Sequence, residues 1–142
     1  MPYEIFEHTA DIGLRLEAGN LEGLFRDAAS GFFELSTDYA AFKNPSGETI
    51  QPVEMNFQEE NAEELFMRWL QELLFFFSAR RLVMVDIRFI TLTPLMLKMK
   101  GSAVRFIPHK HAARYEIKAV THHRFRVART KSGWEAEVVF DV

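Results

Sequence analysis

From Leu82 onward the sequence reads as one strand after another: Leu82 to Leu92, Leu95 to Ala103, Tyr115 to Val120, Arg124 to Arg129 and Trp134 to Phe140. Thr93-Pro94 and Ser132-Gly133 supply turn chemistry between neighbours. Strands that follow each other through short turns pair antiparallel, because a parallel return needs a crossover of a dozen or more residues. A repeating strand-helix-strand array with a parallel sheet is thereby excluded for this half of the chain.

The first half differs. Ile12 to Ala18 alternates apolar with polar or small residues, the period of a strand with one buried face, and Tyr3 to Phe6 offers a short partner strand. Asn20 is a helix N-cap residue, and Leu21, Leu24, Phe25, Ala28, Ala29, Phe32 and Phe33 follow at helical spacing, which predicts a helix over about 21–35. Ser36, Thr37, Asp38, Asn44, Pro45, Ser46 and Gly47 mark a loop. Thr49 to Phe57 alternates as a strand, with Pro52 pointing to a sheet edge or a bulge. Asn61-Ala62-Glu63-Glu64 has the form of a capping box and opens a second helix through Leu65, Phe66, Trp69, Leu70, Leu73, Leu74 and Phe77. The expectation is an α+β fold, mainly antiparallel sheets with two principal helices packed on one face. At 142 residues and 48% hydrophobic content, residues 1–142 suffice for a single domain around one core.

Composition narrows the chemistry. The chain has no cysteine, which removes disulfides, thiolate zinc sites and cysteine nucleophiles. The start, Met1-Pro2-Tyr3-Glu4-Ile5-Phe6-Glu7, lacks the basic and apolar regions of a secretory signal, and Leu73 to Phe77 is too short to cross a bilayer. A cytoplasmic protein is expected. Net charge is -3, yet residues 1–77 hold 15 acidic against 4 basic side chains and residues 78–142 hold 5 against 13. Either the two halves neutralise each other within the fold, or a basic face is left for RNA or an acidic partner.

Candidate chemical groups lie near both ends. His8-Thr9-Ala10-Asp11 places an imidazole, a hydroxyl and a carboxylate at the entrance of a strand, where they would ligate a metal, exchange protons, or satisfy backbone amides in a turn. At the other end Val138-Val139-Phe140 is an apolar strand followed by Asp141 and Val142. The Asp141 side chain and the Val142 α-carboxylate are hard oxygen donors suited to magnesium, calcium or manganese, and the competing reading is a frayed, solvated end. Tyr115 to His123 alternates, which puts Glu116, Lys118 and Val120 on one face; Lys118 is either a phosphate or carboxylate contact or a solvent-facing lysine. His122-His123 cannot face one ligand from a regular strand, and His109-Lys110-His111 reads as a basic loop before it reads as a metal site. The sequence carries no P-loop, dinucleotide-binding glycine pattern, nucleophile elbow or metalloprotease histidine pair.

Taken in order, Glu7-His8-Thr9-Ala10-Asp11-Ile12-Gly13, Lys118-Ala119-Val120-Thr121 and Phe140-Asp141-Val142 resemble the archease family over nearly the whole chain. The resemblance extends to Thr37-Asp38 and to Trp69-Leu70-Gln71-Glu72-Leu73-Leu74. It departs at His122, where the family commonly has an aromatic residue, and at Gly101-Ser102, where the family has Gly-Glu and a shorter loop to Phe106. The resemblance implies a compact α+β fold and a divalent-metal site of calcium, magnesium or manganese drawn from Asp11, Asp141 and Val142. It further implies Lys118 and His8 as activation or partner contacts. The expected function is then activation of an RtcB-type RNA ligase in tRNA splicing, promoting its guanylylation and multiple turnover, with RNA reached through the ligase. Two other readings stay open: a stand-alone metal-dependent phosphoesterase acting through Asp11 and Asp141, and an RNA- or protein-binding chaperone using the basic half.

Overall fold

The computed structural model describes residues 3–8, 11–45 and 49–142, with the side chains of Glu7 and His8 left out. Thr9 and Ala10 of the first motif, and Ser46 and Gly47 of the expected loop, lie outside the described residues.

Among the described residues the elements are strands β1 (Tyr3–His8) and β2 (Asp11–Ala18), helix α1 (Leu21–Ser36), strand β3 (Ile50–Gln58), helix α2 (Ala62–Ser78), and strands β4 (Leu82–Leu92), β5 (Met96–Arg105), β6 (Ala119–Thr130) and β7 (Gly133–Asp141). A 3-10 turn, Tyr39–Phe42, lies in the expected loop. The strands form two antiparallel sheets, one ordered β1-β2-β7-β6 and the other β3-β5-β4. Pro52 sits in β3, an edge strand, where its missing donor costs no ladder bond on the outer side.

Both helices begin where their caps predict. The Asn20 side chain accepts from the Gly23 N–H at 2.7 Å, and Asn61 accepts from the Glu64 N–H at 2.9 Å. Helix α1 packs across β2 and β7, α2 packs against β6, and β4 meets both helices. Ile12, Leu14 and Leu16 of β2 face Phe140, Val138 and Ala136 of β7 in register, all buried beneath the helices. Trp69 is fully buried and donates its indole N–H to the Phe25 carbonyl at 2.9 Å, tying α2 to α1 without an unpaired polar group. The two helices thus cover one face of the four-stranded sheet and leave its other face open.

Two expectations need correction. Tyr115 to Val120 does not form a strand of its own: β6 begins only at Ala119 and runs through to Thr130, joining what the sequence divides into two strands. Residues 114–118 are irregular, because Arg114 and Tyr115 donate backbone N–H groups to Ser36 and Leu35 at the end of α1 while Ile117 turns into the core. Regular alternation of Glu116, Lys118 and Val120 on one face therefore fails. Within β6 the register slips between Thr121, opposite Val139, and Arg126, opposite Glu137. Residues 122–125 form the irregularity between those pairs, and Arg124 within it takes a left-handed φ of 56°.

Candidate functional site

One end of the open face collects the residues singled out by the sequence. Asp11, first residue of β2, is the direct register partner of Asp141 in β7, and Asp141 in turn faces Ala119 at the start of β6. On the other side Asp11 faces His8 of β1 through the backbone pairing; the His8 side chain is not described. Lys118 stands just before β6, exposed, and its backbone N–H donates to the Asp141 carbonyl at 2.8 Å. The backbones of His8, Asp11 and Asp141 therefore lie side by side on three neighbouring strands, with Lys118 joined to the row just before the fourth.

Alternation fixes which way the carboxylates point. Ile12 and Phe140 are buried in the core, so their neighbours Asp11 and Asp141 lie on the opposite, open face. Directly opposed residues on adjacent strands hold their Cβ atoms about 4.5–5.5 Å apart, which is unfavourable for two like charges unless something neutralises them. The chain end is not frayed: Asp141 belongs to β7, and Val142 packs against the core. Two hard oxygen ligands at this separation fit a cation of the magnesium, calcium or manganese class. Among the described residues no group of three or more His, Cys, Asp or Glu side chains is arranged to hold a metal. The sequence-derived candidates for a third donor are His8 and, in a chain ending at Val142, its α-carboxylate.

The other histidines stand elsewhere. His122 and His123 are exposed in the β6 bulge. His111 is buried, accepts from the Ile107 N–H through Nδ1 at 2.9 Å and packs its ring 4.4 Å from that of Phe42, while His109 is exposed. His111 thus braces the loop that follows β5, and the pair does not act as one site.

Beside the carboxylate row lies a cluster the sequence reading missed. Phe6 lies over Gly13, and the guanidinium of Arg15 stands 4.1 Å from the Phe6 ring centroid. Glu137, only 8% exposed, receives Arg15 Nε on one carboxylate oxygen and Arg124 Nε on the other, each at 3.1 Å. Arg126 is paired with Glu135, and that hydrogen bond raises the guanidinium pKa further above its ordinary value. A carboxylate this buried needs both cations, because an unpaired charge there would be strongly destabilising. The available signal was the polar residues of period two in β7, Glu135 and Glu137, matched to Arg15 and Glu17 of β2.

Comparison with known proteins follows the same outline. The model of a family described as the Archease protein family (MTH1598/TM1083) matches residues 3–142. A protein archease of Methanosarcina acetivorans is 32% identical over 144 residues, spanning 99% of this chain and 95% of its own length. One from Methanopyrus kandleri is 33% identical over 149 residues and covers both chains completely. Among solved structures, a Methanobacterium thermoautotrophicum protein matches with a TM-score of 0.74 at 26% identity, covering 99% of each chain. A Thermotoga maritima protein described as an archease and possible chaperone matches in fold with a TM-score of 0.66 at 22% identity, over 96% of this chain and 94% of its own.

Proposed function

We propose, from the premise that this chain belongs to the archease family, that it acts as a metal-binding activator of an RtcB-type RNA ligase. It promotes ligase guanylylation and repeated turnover in tRNA splicing and does not itself join RNA. The observation that supports this reading most is the register pairing of Asp11 with Asp141, with Lys118 bonded at the same strand end. Asp11, Asp141 and, in a chain ending at Val142, its α-carboxylate would hold the ion, which when bound supplies positive charge toward phosphate oxygens during guanylyl transfer. Lys118, exposed beside this row, adds a mobile cation for a phosphate or for a carboxylate of the ligase. Glu137 and its two arginines keep β2, β7 and the β6 bulge in fixed relation, so the row is held by a rigid sheet. Among the described residues no helix is long and apolar enough to cross a membrane, and a cytoplasmic setting is part of this proposal.

The test is ligation with limiting ligase and excess RNA ends. Multiple turnover should require this protein and be lost in Asp11→Ala and Asp141→Ala, with both variants folded by circular dichroism. Lys118→Ala should weaken activation about tenfold or more while moving stability by less than ~0.5 kcal/mol, as for an exposed residue. Full activation by both aspartate variants would sink the metal reading. Hydrolysis of phosphoesters without ligase would replace the activator with an enzyme.

A further inference from the structure

The basic second half of the chain is only partly neutralised. Arg114 pairs with Glu34, Arg124 with Glu137, Arg126 with Glu135 and Arg88 with Asp86. At the C-terminal end of α2 the pattern stops: among the described residues, Arg80, Arg81 and Arg105 have no carboxylate within ion-pair distance. These three are neighbours. Arg105 is one residue from Arg81 across the ladder, since Leu82 is its register partner, and the Phe106 N–H donates to the Arg81 carbonyl at 2.7 Å. Arg80 lies 4.7 Å above the ring of buried Phe76, which meets Phe75 edge to face at 6.4 Å. Phe75 is 54% exposed.

Arg81 adds an independent observation. Its φ is 55°, the left-handed conformation with which many helices end and for which glycine is the usual residue. Any residue with a Cβ is strained there, so the chain carries a charged side chain at a position where glycine would relieve the backbone.

We propose that Arg80, Arg81, Arg105 and Phe75 form a docking surface for single-stranded RNA, with phosphates on the guanidinium groups and a base stacked on Phe75. Uncompensated arginines call for an anionic partner. An acidic peptide would be satisfied by the charges alone and gains little from an exposed ring, whereas a single strand offers phosphates and unstacked base faces together. A duplex hides those faces. RNA as the polymer rests on the ligase reading above; the phosphate-and-base recognition does not, and its residues lie on elements other than those of the carboxylate row.

A short fluorescein-labelled oligouridylate, followed by anisotropy across a salt series with the full chain, tests this. Binding should weaken as salt rises, and each arginine removed should lower the slope of log affinity against log salt by about 0.7. Arg81→Gly should weaken binding about fivefold while Tm holds or rises, because glycine relaxes the left-handed turn; loss of RNA with gain of stability separates binding from folding. Phe75→Ala should weaken binding about fivefold and leave the salt slope unchanged. Asp11→Asn should leave RNA affinity intact, so failure of the metal reading and failure of this one are distinguishable. Unchanged affinity in Arg81→Gly and Phe75→Ala overturns the proposal. So does a patch whose arginine variants lose binding while Phe75→Ala does not and polyglutamate displaces the RNA as well as unlabelled oligouridylate does, since that assigns the surface to an acidic protein.

Discussion

Gly13 and Phe6 show how much of the open face hangs on one missing side chain. A Cβ at Gly13 would sit 2.1 to 2.6 Å from three atoms of the Phe6 ring, closer than any contact a core tolerates. Glycine inside a strand is otherwise a loss of about 0.5–1 kcal/mol relative to alanine, so an ordinary exposed position would gain from the substitution. Here Gly13→Ala should instead destabilise by roughly 1–3 kcal/mol, by pushing the ring off the sheet and away from Arg15. In a Phe6→Ala background the same substitution should cost little or become favourable, which urea unfolding of the four-member cycle will read directly. Alternation along Ile12 to Ala18 already put Gly13 and Arg15 on the outward side. Which ring lies over Gly13 depends on the register with β1, and a period of two does not specify register against an edge strand that is short and mixed.

Among the elements, those whose ends are set by local chemistry were the legible ones. Both helices start at an asparagine whose side chain caps them, and both carry their apolar residues at helical spacing. In β6 the stretch Arg124 to Arg129 was legible but the bulge before it was not, because the bulge is held by Glu137 on another strand and by the left-handed Arg124, neither of which leaves a glycine or proline to read. The 3-10 turn at Tyr39 was hidden for a related reason: its anchor is tertiary. The Tyr39 hydroxyl donates to the Met84 carbonyl at 2.6 Å, and Arg26 donates to the Ile87 carbonyl at 2.6 Å, so side chains occupy acceptors on β4, an edge of its sheet. Burial pushes the Tyr39 hydroxyl up to about 12, with a smaller opposing pull from Arg26. Above pH 10 the unfolded chain sheds this proton while the folded chain keeps it, so stability is complete below pH 10 and is lost as pH rises toward 12. Tyr39→Phe should cost about 1 kcal/mol at pH 7 through the lost hydrogen bond. That deficit should shrink above pH 10 and cancel a little below pH 11, since the linkage penalty on the tyrosine reaches about 1.4 kcal/mol at pH 11. Parallel stability curves for the two proteins from pH 8 to 11.5 would show that the hydroxyl is not buried in this way.

At the scale of the whole molecule, the notable fact is that β2 and β7 are neighbours, so the start and the end of the chain lie side by side. No local pattern specifies that pairing. The sequence offered Asp11 and Asp141 as separate groups, each with a plain surface role as its competitor, and only the resemblance of the ordered motifs implied that they meet. The register now opposes them directly, and this has a thermodynamic consequence that does not depend on any ligase. Like charges facing each other across an antiparallel pair oppose folding, so in a chelator Asp11→Asn, which keeps the shape and removes one charge, should be at least as stable as the parent chain. The difference should fade with added salt as the pair is screened. A divalent ion held by the folded state alone reverses the order, because it adds RT ln(1 + [L]/Kd), about 2.7 kcal/mol at a hundredfold excess over Kd. With the ion held as proposed, Asp11→Asn and Asp141→Asn each remove a charged ligand and should gain far less from it, as should, for a chain ending at Val142, an extension that turns its α-carboxylate into an amide. Thermal unfolding in chelator and across titrations of calcium, magnesium and manganese should therefore give curves that cross: the variants ahead without metal, the parent ahead once a binding ion approaches saturation. A parent chain whose Tm ignores all three ions, or an Asp11→Asn variant that is clearly weaker in chelator, would show that the paired aspartates serve the sheet and not a cation.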